Sequence, residues 1–120
     1  MSLHDSSEEL IELEKKWLAL RQKLKQQFGK APDMNALLML IGIRELGSLK
    51  TKFTKEEKQD LMHIATCRLL STSGYYELEG LDKEGWPHWN VIRKLPVMNL
   101  QQQEDLLKEH ILDYFNEMEY

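Results

Sequence analysis

Leu10, Leu13, Trp17, Leu20 and Leu24 step along the chain by three and four residues, and Phe28 continues the series. That spacing puts all six on one stripe of an α-helix, so the N-terminal quarter of the chain has to be an amphipathic helix with a covered apolar side. Ser6 with Glu9 three residues later fits a capping box at its start, and Gly29 followed by Pro32 ends it. The charges are sorted along the axis. Asp5, Glu8, Glu9, Glu12 and Glu14 come first, then Lys15, Lys16, Arg21, Lys23, Lys25 and Lys30, as the helix macrodipole favours. Residues 1–5 are expected to be disordered or foreign to the native chain.

Three further segments read as helices. Asp33 can cap one that runs to Leu46 and closes at Gly47; its middle, Ala36 to Ile43, is apolar all round and predicts a central helix. Gly42 within it costs about 1 kcal/mol relative to Ala, so a neighbouring helix is expected to approach closely there. Thr54 and Glu57 form another capping box, opening a helix to Ser73 through Leu61, Met62, Ile64, Ala65, Leu69 and Leu70, with Gly74 beyond. The last helix starts near Asn99, with Gln102 as its reciprocal cap, and carries Leu107, Ile111, Tyr114, Phe115 and Met118 almost to Tyr120. Its acids, Glu104, Asp105, Glu109, Asp113, Glu117 and Glu119, could lie beside the basic half of the first helix, within one chain or between two.

Residues 75–98 break the helical rhythm. Tyr75 to Glu79 alternates and is aromatic, Asp82-Lys83-Glu84-Gly85 looks like a turn, and Trp86 to Ile92 could return as a second strand with Pro87 on an edge. A short β-hairpin and an irregular packed loop are both open for this stretch. The expected fold is therefore mainly all-α: one domain over residues 1–120, a bundle-like or orthogonal array of four helices, with a long aromatic connection between the third and fourth.

Composition narrows the function. Sixteen basic against 20 acidic side chains give a net charge of -4, which leaves no global positive field for a phosphate backbone. No run approaches the length of a membrane span, and the single cysteine, Cys67, cannot make an internal disulfide. With neither a basic nor an apolar leader at the start, the expected location is the cytoplasm, and nucleic acid and membrane are not expected partners. Glycine-rich nucleotide loops and a Gly-x-Ser-x-Gly elbow are missing, so no cofactor and no catalytic residue is expected.

Two constellations remain. Tyr75, Tyr76, Trp86 and Trp89, with His88 and Pro87 between the tryptophans, gather four of the ten aromatics into 15 residues. They read either as a partner-docking surface or as pins holding a long connection over the helices. Asp60, His63 and Cys67 stand at i, i+3 and i+7 on the third helix and offer an O, N, S ligand set, which His88 or His110 could complete. The plainer reading is a satisfied histidine and a small apolar cysteine. Glu77, Glu79, Asp82 and Glu84 crowd one loop without calcium-loop spacing and read as solvated charge.

The strings Pro32 to Leu38, Lys55 to Ile64, Gly74 to Gly80 and Gly85 to Trp89 resemble a family of small conserved uncharacterised proteins of Bacteroidetes-type bacteria, over about residues 30 to 118. The resemblance implies a stand-alone bacterial protein and carries no activity, cofactor or site residue. The expected function is a non-catalytic interaction or scaffold domain, homodimeric, that docks a protein partner through Tyr75 to Trp89. The alternatives are a small-ligand or metal-binding protein, with or without catalysis, built on Asp60, His63, Cys67 and His88, and a nucleic-acid adaptor acting through Lys15 to Lys30.

Overall fold

A computed structural model describes residues 7–118. The Ser6 cap, the state of residues 1–5 and the reach of the last helix to Tyr120 lie outside the described residues. The element order is α1 (Ser7–Phe28), α2 (Met34–Leu46), α3 (Lys55–Ser71), β1 (Tyr76–Leu81), β2 (Pro87–Val91) and α4 (Leu100–Glu117). The protein is mostly helical, with a two-stranded antiparallel hairpin between the third and fourth helices. No described helix is long and apolar enough to cross a membrane. The chain divides into two compact units, one holding α1 and α4 and the other spanning residues 34–97.

In the first unit, α1 buries Leu13, Trp17, Leu20 and Leu24, four of the six residues in its stripe, whereas Phe28 at its end is exposed. Gly29, at φ +83°, closes the helix by donating its N–H to the Lys25 carbonyl at 2.8 Å, a left-handed position that glycine adopts without strain. The Arg21 Nε donates to the Pro32 carbonyl at 2.7 Å and folds the following turn back onto the helix. The α4 helix opens on the expected capping box, the Asn99 side chain accepting from the Gln102 N–H and Gln102 from the Asn99 N–H. Its buried face holds Ile111, Tyr114 and Phe115 together with Asp105, Lys108 and His110. Lys108 Nζ meets Glu14 of α1 at 2.7 Å and lies 5.6 Å above the Trp17 ring. An α4 base thus pairs with the acidic half of α1.

In the second unit, α2 buries Leu37, Leu38 and Ile41, and α3 buries Leu61, Ile64, Ala65, Cys67, Leu69 and Leu70. The two pack closely because Gly42 has no side chain: a methyl there would collide with the Leu61 carbonyl. Arg68 and Glu45 add an ion pair at 3.3 Å across the same contact. The Thr54 and Glu57 capping box is present, so α3 starts where the sequence predicts, and it ends at Ser71, two residues before the expected Ser73.

The hairpin that follows pairs Tyr76 with Val91, Glu77 with Asn90, Leu78 with Trp89, Gly80 with His88 and Leu81 with Pro87. The register shifts between Leu78 and Gly80, leaving Glu79 as a bulge. Because side chains alternate, Tyr76, Leu78, Trp89 and Val91 share one face. Pro87 shares that face by the same alternation along β2, and the bulge brings its partner Leu81 back to it. Pro87 lies on an edge, as both strands of a two-stranded sheet do.

Candidate functional site

The site is built around the hairpin turn. Asp82 to Gly85 form a tight turn in which the Gly85 N–H donates to the Asp82 carbonyl at 3.0 Å and Gly85 itself sits at φ +87°. The Asp82 carboxylate organises the loop. Its Oδ1 accepts from the N–H groups of Glu84 and Trp86 at 2.9 and 3.0 Å, and its Oδ2 lies 2.9 Å from His88 Nε2. The bond to His88, then those to the backbone, hold the Asp82 carboxyl below the usual aspartate range. The sequence marks the turn but treats Asp82 as one of four solvated acids. An Asp three residues before a Gly, whose side chain can bind its own turn, was the available signal.

Fixing the turn places Trp86, Pro87, His88 and Trp89 opposite the first half of α3. Together with Asp60, His63 and Ile64 they line an open groove of about 420 Å³, whose rim also carries Glu57, Asp82 and Glu84. The groove is acidic as well as aromatic. Glu57 is engaged by Lys50 at 2.6 Å, which with the Thr54 cap holds its carboxyl below the usual range. Trp86 and Trp89 are half-buried, and the Trp89 indole nitrogen is shielded from solvent with no hydrogen-bond partner among the described residues.

The two constellations read from sequence meet here in part. Asp60, His63 and His88 all line the groove; Cys67 does not. Cys67 is fully buried on the α3 core side, its Sγ 3.5 Å from His63 Nε2, and burial pushes the thiol up to about 11. A thiol held that far above neutrality stays protonated, which suits packing better than nucleophilic attack. His110 is buried in α4 with Nδ1 donating to the Leu106 carbonyl at 2.7 Å. No group of three His, Cys, Asp or Glu side chains among the described residues is placed to hold a metal ion.

Tyr75 and Tyr76 lie at the other end of the hairpin, outside the groove lining. The Tyr75 ring carries the Arg93 guanidinium 4.2 Å from its centroid, and Arg93 also donates to the Ser73 carbonyl at 2.5 Å, so this aromatic closes the base of the hairpin. Of the five aromatic and histidine candidates, the structure brings Trp86, His88 and Trp89 to one place and sets Tyr75 and Tyr76 apart. No family model matches the chain, and no curated protein or solved structure is similar to it.

Proposed function

We propose that this is a non-catalytic cytoplasmic interaction domain that docks a basic segment of a protein partner in the groove between α3 and the hairpin. One observation carries the reading: two indoles and the carboxylates of Asp60 and Glu84 line the same open groove. Indole faces attract ammonium and guanidinium groups, and carboxylates at the rim complete their charge, so a Lys- or Arg-bearing segment fits this chemistry.

Titration of the protein with an Arg-rich peptide, followed by indole emission, tests this. A saturable change is expected, weakened at least about tenfold in Trp86→Ala and by added salt, with no response to an acidic peptide of equal length. Equal response to both peptides would sink the idea. A second reading, a small-ligand or metal site, draws on Asp60, His63 and His88 lining the same groove; they do not form a ligating group as they stand, so a metal ion would have to draw them together. Calorimetric titration with Zn²⁺ tests it: under that reading, heat of binding appears and is lost in both His63→Ala and His88→Ala.

A further inference from the structure

The two edges of the hairpin are not alike. The β1 edge presents Glu77 and Glu79, both exposed, and is broken by the bulge at Glu79, which are the devices that keep an open edge from pairing with another strand. β2 opens on Pro87, itself an edge-blocking residue, but from His88 to Ile92 its edge carries no Lys, Arg, Asp or Glu and no bulge, and Asn90, Val91 and Ile92 are exposed. The β1 edge is guarded along its length, and the β2 edge only at its start.

The backbone of the open edge is also placed to pair. Ile92 donates its N–H to the Tyr75 carbonyl, so the pair Tyr75 and Ile92 is hydrogen-bonded within the hairpin. Bonded and non-bonded pairs alternate in an antiparallel ladder, which makes Glu77 and Asn90 the next bonded pair and turns the N–H and C=O groups of Trp89 and Val91 outward, away from β1. Val91 and Leu78 on the same face as Trp89 are 62% and 51% exposed, so apolar surface continues up to this edge. A two-stranded sheet is marginal by itself and gains from additional strands.

We infer that β2 is a homodimerisation edge, pairing antiparallel with β2 of a second copy about a two-fold axis at Asn90. A second copy is the occupant that the charges favour. In this register Trp89 exchanges main-chain hydrogen bonds with the partner's Val91, Asn90 faces the partner's Asn90 as an amide pair, and His88 stands opposite the partner's Ile92, with no like charges in contact. The same operation on β1 would bring the Glu77 and Glu79 carboxylates of the two copies together. The inference is independent of the groove reading, because it uses the edge of the sheet and not the space between hairpin and α3.

Sedimentation equilibrium across a concentration series, paired with hydrogen exchange read at the Trp89 and Val91 amides, tests it. The mass is expected to reach twice 14.2 kDa, with slow exchange at both amides in the dimer. Val91→Lys, at an exposed position, and Asn90→Asp, which is isosteric and sets two carboxylates opposite each other on the axis, are each expected to weaken the dimer at least about tenfold and to speed exchange at those amides. Circular dichroism verifies that both variants stay folded, and Glu77→Lys on the guarded edge is expected to leave the mass unchanged. A protein that stays at 14.2 kDa at every concentration, or a dimer indifferent to both Val91→Lys and Asn90→Asp, would overturn the inference.

Discussion

The two compact units are held by different means. In residues 34–97 the helices α2 and α3 follow one another in sequence and meet through a glycine, so the contact is close and mainly apolar, with the partly exposed Arg68–Glu45 pair beside it. The pair α1 and α4 is brought together from opposite ends of the chain, and its cross-helix bond joins Lys108 to Glu14, 94 residues apart. The first kind of contact is intolerant of volume. The second depends on charge compensation, because Lys108 is 7% exposed and its ammonium needs both the Glu14 carboxylate and the Trp17 face. Tight packing and paired charge are alternative ways of making burial favourable, and they fail differently.

The sharpest way to break the contrast is Gly42→Ala. The added methyl must displace the Leu61 backbone, and a loss of about 3 kcal/mol is expected from urea unfolding. A loss below about 1 kcal/mol would mean that α2 and α3 can separate cheaply, and the contrast would fall.

Next comes the charge pair. Glu14→Ala strands a buried ammonium and should cost about 2 kcal/mol, whereas Lys108→Met replaces the buried charge with an apolar chain of similar length and should cost less than about 1 kcal/mol. Equal losses from the two substitutions would show that the ion pair itself is stabilising and that stranding the ammonium adds nothing beyond its loss.

The smallest expected effect is on the hairpin turn. The folded-state carboxyl of Asp82 titrates below its unfolded value of roughly 3.9, so its contribution is fully present above that value and is lost as pH falls through the lowered folded value. Indole emission from Trp86 and Trp89 should report loosening of the turn in that acid window, and Asp82→Asn should show the loosened signal at neutral pH and a flatter acid response. An unchanged profile in Asp82→Asn would remove Asp82 as the organiser of the loop.

Much of the fold was legible because its signals are local. The Thr54 and Asn99 capping boxes, the closure of α1 at Gly29 and the close approach at Gly42 each involve a residue type with one dominant physical use. The hairpin was half legible. Alternation and the Asp82 to Gly85 turn suggested strands, yet the bulge at Glu79 shifts the register and spoils a strict period of two. The candidate site was legible in its members but not in its grouping. Nothing in the spacing showed that His63 would stand beside Trp86 and Trp89 while Cys67, four residues further along the same helix, would point into the core.

By itself, then, the sequence determined which stretches are helical, where α3 and α4 begin, that α1 closes at Gly29, and that a helix comes close at Gly42, because hydrogen bonds between near neighbours and the 3.6-residue period act within a few residues. Only the tertiary structure decided that Lys108 is buried against Glu14, that Asp82 binds His88, and that α3 and the hairpin enclose an acidic aromatic groove. Those outcomes depend on which surfaces meet, and that choice is made by packing across the chain, where many residues could pair with a given charge and only the folded arrangement selects one.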